Sequence, residues 1–261
     1  MPGVNNYQKQ RIIMKFIYLI FPIVVLVTFY LVLCSTLGKL AIKHKIKINY
    51  TRKIGHFSMF IFPGGIYKLF NINNYLEQII IVSISTILFF ISLSKLFRDK
   101  YRYLNLAFYS IDRPEDRPYT LLWIFTQTFL GFLILAIFAY IWNIYNIPLE
   151  LMYISILTTT IGDGLAEPIG VRFGKHKYSV KSIFTDRKYF RSYEGSSMVF
   201  ISALVIYTFH MDYFSHDWYK WSGLILYPVL MTITEARSPH TWDTPFLFFI
   251  GNLIISIIYL G

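Results

Sequence analysis

The chain has 261 residues, of which 55% are hydrophobic, 19% aromatic and only 15% charged, a composition that excludes disorder and is too apolar for an ordinary soluble domain. Its formal net charge of +11 matches the basic loops that an integral membrane protein carries. With no soluble domain to hold a basic groove, nucleic acid is not an expected partner. Cys34 is the only cysteine, which excludes a disulfide within the chain and a thiolate zinc cluster.

Eight apolar segments follow in order: Phe16–Leu37, Ile54–Phe70, Gln78–Ser94, Thr120–Trp142, Leu149–Ile169, Glu194–Phe209, Trp221–Thr234 and Thr244–Leu260. A helix of about 20 apolar residues crosses a bilayer, and backbone in lipid must satisfy its own hydrogen bonds. The pattern therefore predicts an all-α, polytopic helical bundle of about eight transmembrane segments. Phe16–Leu37 exceeds the apolar core of a signal peptide, and no small-x-small cleavage site follows it. Leu31-Val32-Leu33-Cys34 lacks the small residue of a lipoprotein box. Residues 1–37 are accordingly read as an N-terminal transmembrane segment and 38–261 as the membrane domain, with no repeat or low-complexity linker. Ile54–Phe70 spans only about 25 Å of helix, and Pro63-Gly64-Gly65 interrupts it. The absence of basic residues in Asn71–Glu77 favours a full crossing over a re-entrant element.

Charge sets the orientation. The loops after segments one, three, five and seven hold all but five of the 25 Lys and Arg; the exceptions are Lys9, Arg11, Lys15, Lys68 and Lys220. Such asymmetry makes the basic side cytoplasmic and places both termini opposite. Trp218, Tyr219 and Trp221 then read as an external aromatic belt, and His44, His210 and His216 as plain interfacial residues. Lys39, Lys43, Lys45 and Lys47 need no role beyond orientation. Arg113-Pro114-Glu115-Asp116-Arg117-Pro118 reads as a solvated turn with local ion pairs.

Asp163 is the residue this scheme does not absorb. It lies in Thr158-Thr159-Thr160-Ile161-Gly162-Asp163-Gly164-Leu165-Ala166-Glu167, about 21 Å beyond Leu149 in a hydrocarbon core about 30 Å thick. Hydrocarbon cannot solvate a carboxylate there. Glu167 is one helical turn further towards the cytoplasm. Glu194, Glu235 and Asp243 stand at helix ends on the same side, as do Arg52, Lys53 and His56, with Arg52 and His56 on one helix face. An acid at a helix C-terminus is electrostatically unfavourable, which singles out Glu235. Carboxylates beside Lys and Arg form the environment of a Mg²⁺–nucleotide complex, and Gly162, Gly164, Gly170 and Gly174 allow backbone N–H groups to approach phosphates, followed by Lys175, Lys177 and Lys181. The common nucleotide fingerprints fail: Gly170-Val171-Arg172-Phe173-Gly174-Lys175-His176 is one residue short of a P-loop and ends in His. His240, in Ser238-Pro239-His240-Thr241-Trp242-Asp243, is a candidate base or phosphate ligand, or else a capping residue.

The ordered series Arg52-Lys53-Ile54-Gly55-His56, Gly162-Asp163-Gly164, Phe173-Gly174-Lys175, Lys181-Ser182 and Ser192-Tyr193-Glu194-Gly195-Ser196 resembles the CTP-dependent lipid kinases, which act on dolichol and other polyprenols, phytol, farnesol or diacylglycerol. The resemblance covers about Arg52 to Asn252. It implies transfer of the γ-phosphate of CTP to a membrane lipid alcohol at the cytoplasmic face, with Mg²⁺. It implies that Arg52, Lys53, Asp163 with its glycines, Lys181 and Glu194 belong to the site, and that Glu235 and Pro239–Asp243 form its distal part. On this reading Asp163 with Glu194 or Glu235 holds the metal, and Arg52, Lys175 and Lys181 steady the phosphates. A carboxylate or His240 takes the alcohol proton. Phosphatidate cytidylyltransferases are related, but their Lys-Asp, His-Gly-Gly and Asp-Arg-x-Asp signature is missing here. A cytidylyltransferase is the alternative expectation, and an ion-coupled transporter using Asp163 is a third.

Overall fold

The structure, a computed structural model, describes residues 6–183 and 185–261, with side chains from Tyr18 onward. Helix accounts for 79% of it, so the helical expectation holds for all but one short region. In chain order the helices are α1 (Asn6–His44), α2 (Ile48–Leu69), α3 (Tyr75–Ser92), the short α4 (Lys95–Arg98) and α5 (Arg102–Tyr109), and α6 (Thr120–Ile144). They continue with α7 (Met152–Leu157), α8 (Gly164–Phe173), α9 (Tyr193–Phe209), α10 (Asp217–Arg237) and α11 (Asp243–Leu260). Each of the eight apolar segments is helical over nearly its whole length. Among the described residues, four helices are long and apolar enough to cross a membrane: the Tyr18–His44 part of α1, α3, α6 and α11. Large apolar side chains such as Phe21, Val32, Ile91, Leu133 and Phe249 lie exposed on them.

The helix starts follow from local chemistry. The Asn74 side-chain oxygen accepts from the backbone N–H groups of Leu76 (2.9 Å) and Glu77 (3.2 Å), opening α3. Ser192 Oγ accepts from Gly195 N (3.1 Å) and opens α9, with Glu194 in its first turn. Pro63-Gly64-Gly65 does not interrupt α2 as the sequence suggests; the helix runs through it, and Gly64 and Gly65 face open space.

Two departures from uniform helix matter for function. Segment five is broken: α7 passes into a wide π turn, Thr158–Asp163, before α8 begins. Such turns occur mostly as local insertions at functional sites, and this one ends on Asp163. Gly162 within that turn and Gly164 just after it stand where two helices come close. A Cβ on Gly162 would lie 3.0 Å from Val199 Cα of α9, and one on Gly164 would lie 2.6 Å from Phe57 Cζ of α2. The second departure is an antiparallel hairpin of β1 (Lys177–Lys181) and β2 (Lys188–Ser192), with Lys177 opposite Ser192 and Lys181 opposite Lys188. It corrects the all-α expectation. Lys177-Tyr178-Ser179-Val180-Lys181 alternates polar and apolar residues, the period of a strand half-buried on one face.

Two apolar cores hold the bundle. One joins α1, α2, α3, α5 and α6 around Leu26, Tyr30, Ile81, Phe89 and Ile111. The other joins α6, α7, α9, α10 and α11 around Trp142, Val199, Tyr207, Tyr227, Met231 and Phe248. Val82 packs against both. Small polar groups link the helices of the second core: Trp142 Nε1 donates to Ser256 Oγ (2.7 Å), Ser155 Oγ to Asn252 Oδ1 (2.9 Å), and Tyr227 Oη to Thr158 Oγ1 (3.1 Å). In an apolar surround such bonds contribute about 0.6–2 kcal/mol each.

Candidate functional site

A cavity of about 820 Å³ opens between α2, the π turn with α8, the Arg113–Asp116 loop, the hairpin, and the facing ends of α10 and α11. Its lining includes Arg52, Lys53, Asp163, Gly170, Gly174, Gly195, Ser196, Glu235 and His240 from the sequence expectation, and Asp243. Residues more than a hundred positions apart meet there. Lys53 Nζ, buried, donates to both the Asp163 carboxylate and its main-chain carbonyl at 2.9 Å. A lysine in the first turns of α2 therefore clamps the end of the π turn. His56, one turn on from Arg52, brings Nε2 to 3.8 Å from Asp163 Oδ2.

Glu167 is the hub of the same wall. It accepts from Asn49 (2.7 Å), Arg52 (3.0 Å) and Arg113 (2.7 Å), with Lys53 Nζ at 3.7 Å. Arg113 corrects the solvated-turn expectation. Its ion pair with Asp116 (2.7 Å) is local as expected, but both residues are buried, because Arg113 also reaches across to Glu167. Burial works against the Arg113 charge; Glu167 and Asp116 outweigh it and hold the guanidinium above its ordinary value. Burial likewise opposes ionisation of Asp116, but the His240 hydrogen bond and the Arg113 charge win and hold its carboxyl down at about 2.

His240 joins this wall to the hairpin. Its backbone N–H donates to the Lys181 carbonyl (2.9 Å), and its ring stacks on Tyr189 at 3.7 Å. Nε2 contacts Asp116 Oδ1 at 2.9 Å and Arg113 Nη2 at 3.3 Å. Asp116 only accepts and Arg113 only donates, so the two contacts at Nε2 make opposite demands on that nitrogen. Burial pushes the ring's proton affinity below the ordinary histidine value, although the Asp116 hydrogen bond works against that.

The opposite wall is built from the hairpin and the helix ends. Arg191 on β2 pairs with Glu235 (3.2 Å) and Asp243 (3.3 Å), and also donates to the Glu235 carbonyl. Ser196 Oγ donates to Glu235 Oε2 (2.7 Å). Burial lowers the proton affinity of the Arg191 guanidinium; Glu235 and Asp243 outweigh it, and the net shift is upward. Lys177, Arg187 and Lys188 complete the rim. Seven Lys and Arg face five Asp and Glu in the lining, so the cavity has an excess of positive charge suited to a polyanion.

Several expected residues stand elsewhere. Glu194 does not line the cavity; it pairs with His176 Nδ1 at 2.8 Å on the outer side of α9's first turn and also accepts from the His176 backbone N–H. Lys175, Lys181 and Ser182 are not among the lining residues; Lys181 lies four residues along β1 from Lys177, towards the turn. Gly162 and Gly164 serve helix packing and do not line the cavity, whereas Gly170, Gly174 and Gly195 do. His56 lines an adjoining apolar pocket. Arg113, Asn49, Arg191 and Asp116 are the residues that sequence reasoning missed. The strand alternation of 177–181 was the one signal that could have drawn Arg191 out of a loop.

The donor set tests the expected Mg²⁺. Among the described residues no group of three His, Cys, Asp or Glu converges as a cage. Mg²⁺ on a nucleotide needs only one or two carboxylates beside phosphates and water, and Asp163 and Glu235, both in the lining, fit that mode; Glu194 does not.

Comparison with known proteins finds no family model, no curated protein and no solved structure that matches this chain, so the reading of the site rests on its residues and their geometry.

Proposed function

We propose that the protein is a polytopic membrane phosphotransferase that moves the γ-phosphate of CTP to the hydroxyl of a membrane lipid alcohol. The observation that carries this reading is the Lys53–Asp163 clamp inside an 820 Å³ cavity with excess positive charge. A volume of this order suits a nucleotide, and a buried acid–lysine contact among arginines suits phosphoryl transfer. The motif order that resembles the CTP-dependent lipid kinases supports it, since Arg52, Lys53, Asp163, Gly195 and Ser196 all line one cavity. CTP rather than another nucleotide comes from that resemblance. The eight helical segments are read as crossings with the cavity at the cytoplasmic face and both termini opposite.

In the reaction, a bond forms between the lipid oxygen and the γ-phosphorus while the bond from that phosphorus to the β–γ bridging oxygen breaks. CDP leaves, and the hydroxyl proton passes to a base. Lys177 and Lys188 make no ion pair among the described residues and receive the incoming polyphosphate at the rim. Arg52, Arg113 and Arg191, held in place by Glu167, Asp116 and Glu235, present fixed N–H groups to charge developing on the phosphate oxygens. Asp163 and Glu235 would hold Mg²⁺, which would supply neutralisation of the phosphate charge. Asp163 and His240, both in the cavity lining, are the two groups suited to take the proton.

Incubation of membranes with CTP labelled at the α- or γ-phosphate, and with isoprenoid alcohols, diacylglycerol or phosphatidate in turn, tests the proposal. Movement of γ-label to a lipid alcohol is expected. Movement of α-label to phosphatidate makes the protein a cytidylyltransferase and rejects the kinase reading.

A further inference from the structure

Beside the polar cavity lies a second, smaller pocket of about 60 Å³. Four residues, Arg52, Lys53, Asp163 and Asp243, line both. The rest of its wall is largely apolar, with Met59, Phe60, Phe90, Ile124, Phe132 and Phe248. Two of its residues carry buried polar atoms that have no hydrogen-bond partner among the described residues: Gln127 Oε1 and His56 Nε2. A polar atom buried without a partner costs about 1–3 kcal/mol, and a ligand hydroxyl in this pocket supplies the one donor that such an acceptor lacks. His56 Nε2 is also the atom that lies 3.8 Å from Asp163 Oδ2, too long for a hydrogen bond.

We infer that this pocket is a subsite for the hydroxyl-bearing end of a slim, single-chain primary alcohol, which lies with its oxygen between Asp163, His56 and Gln127 and its first carbons against Phe60 and Phe248. Its role as the acceptor subsite rests on the phosphotransfer reading above; its role as a binding site does not. The volume is room for roughly four water-sized groups. Diacylglycerol carries an ester-linked chain on the carbon next to its hydroxymethyl group, and that branch exceeds the space. A primary alcohol without a branch on the carbon next to its hydroxymethyl group fits, a prenyl alcohol among them. Asp163 lines this pocket and His240 does not, so the alcohol enters the cavity on the Asp163 side.

The test uses two readouts on the full-length protein in membranes. A long-chain prenyl alcohol bearing a diazirine near its hydroxyl is photolysed with the wild type, with Gly55→Val and with Gln127→Leu. Gly55 lines the pocket, and a Cβ there meets only Cys34 Sγ at 3.7 Å, so the position has room for a Cβ and a valine takes up pocket space. Labelling of α2, α6 or α11 peptides, reduced about tenfold by Gly55→Val and about three- to tenfold by Gln127→Leu, is the expected result. Labelling elsewhere, or labelling unchanged in both variants, overturns the subsite. In parallel, KM for the alcohol should rise by the same factors while KM for CTP stays within about twofold. Transfer to diacylglycerol at least as efficient as to the prenyl alcohol overturns the single-chain assignment. Specific labelling without any phosphate transfer keeps the binding site and rejects the kinase reading, so the two can fail separately.

Discussion

The two walls of the cavity hold charge in different ways. On the wall formed by α2, the π turn and α8, each cation meets an acid at contact distance: Lys53 meets Asp163, Arg52 meets Glu167, and Arg113 meets both Glu167 and Asp116. On the hairpin wall one guanidinium, Arg191, spans two carboxylates, and the rim lysines Lys177 and Lys188 make no ion pair among the described residues. The first wall is neutralised and rigid before any ligand arrives. The second leaves positive charge open to a ligand. Substitutions in the first should therefore alter chemistry or folding, and those in the second should alter ligand capture.

The largest effect is expected at Asp163. With Asp163→Asn, γ-phosphate transfer should fall by about 10³-fold or more while the protein still inserts and runs as a single species in detergent; retained turnover would remove Asp163 from the site. Arg113→Ala comes next. It leaves Asp116 buried and Glu167 half-buried, each with a partner missing, and breaking a buried pair costs about 3–5 kcal/mol. A large drop in the thermal midpoint of the detergent-solubilised protein is expected; an unchanged midpoint would mean that Arg113 is solvated after all.

Acid should weaken the same wall by a smaller amount. The Asp116 carboxyl sits at about 2 against an ordinary 3.8. A depressed carboxylate contributes stability above its unfolded value and loses it as pH falls through the folded one. The thermal midpoint should therefore decline between about pH 4 and 2, and Asp116→Asn should flatten that decline. Equal slopes for the two proteins in that window would exclude Asp116 as its source.

On the hairpin wall, Lys177→Ala and Lys188→Ala should each raise KM for CTP by about three- to tenfold, with the effect shrinking at high salt and the midpoint unchanged. If instead kcat falls and KM holds, these lysines act in the transition state and the contrast between walls is lost. Lys43→Ala, in a loop read as an orientation signal only, should leave turnover within about twofold. A large loss there would show that the basic loop takes part in the site.

Legibility in the sequence tracked how local the cause was. The helical segments could be read because hydrophobic runs of membrane length have few alternatives. Asp163 could be read because a carboxylate within an apolar run has no structural excuse. From position alone the sequence singled out Glu235, at a helix C-terminus, over Glu194 at a helix start, but the motif order placed both in the site. Their difference is one of direction: Glu194 turns outward to His176, and Glu235 turns inward to Ser196 and Arg191. Arg113 was misread because its neighbours Glu115 and Asp116 seemed sufficient company.

By itself, the sequence determined that this is a helix-rich chain with membrane-length apolar segments, and that Arg52, Lys53 and Asp163 are costly enough to need a reason. Periodicity and desolvation act over a few residues, so a linear reading captures them. Tertiary structure alone decided that Glu167 gathers Asn49, Arg52 and Arg113, that a hairpin supplies Arg191 and the rim lysines, and that an apolar pocket adjoins the polar cavity at Asp163. Those contacts join residues 50 to 120 positions apart, and which charge meets which depends on how the helices pack.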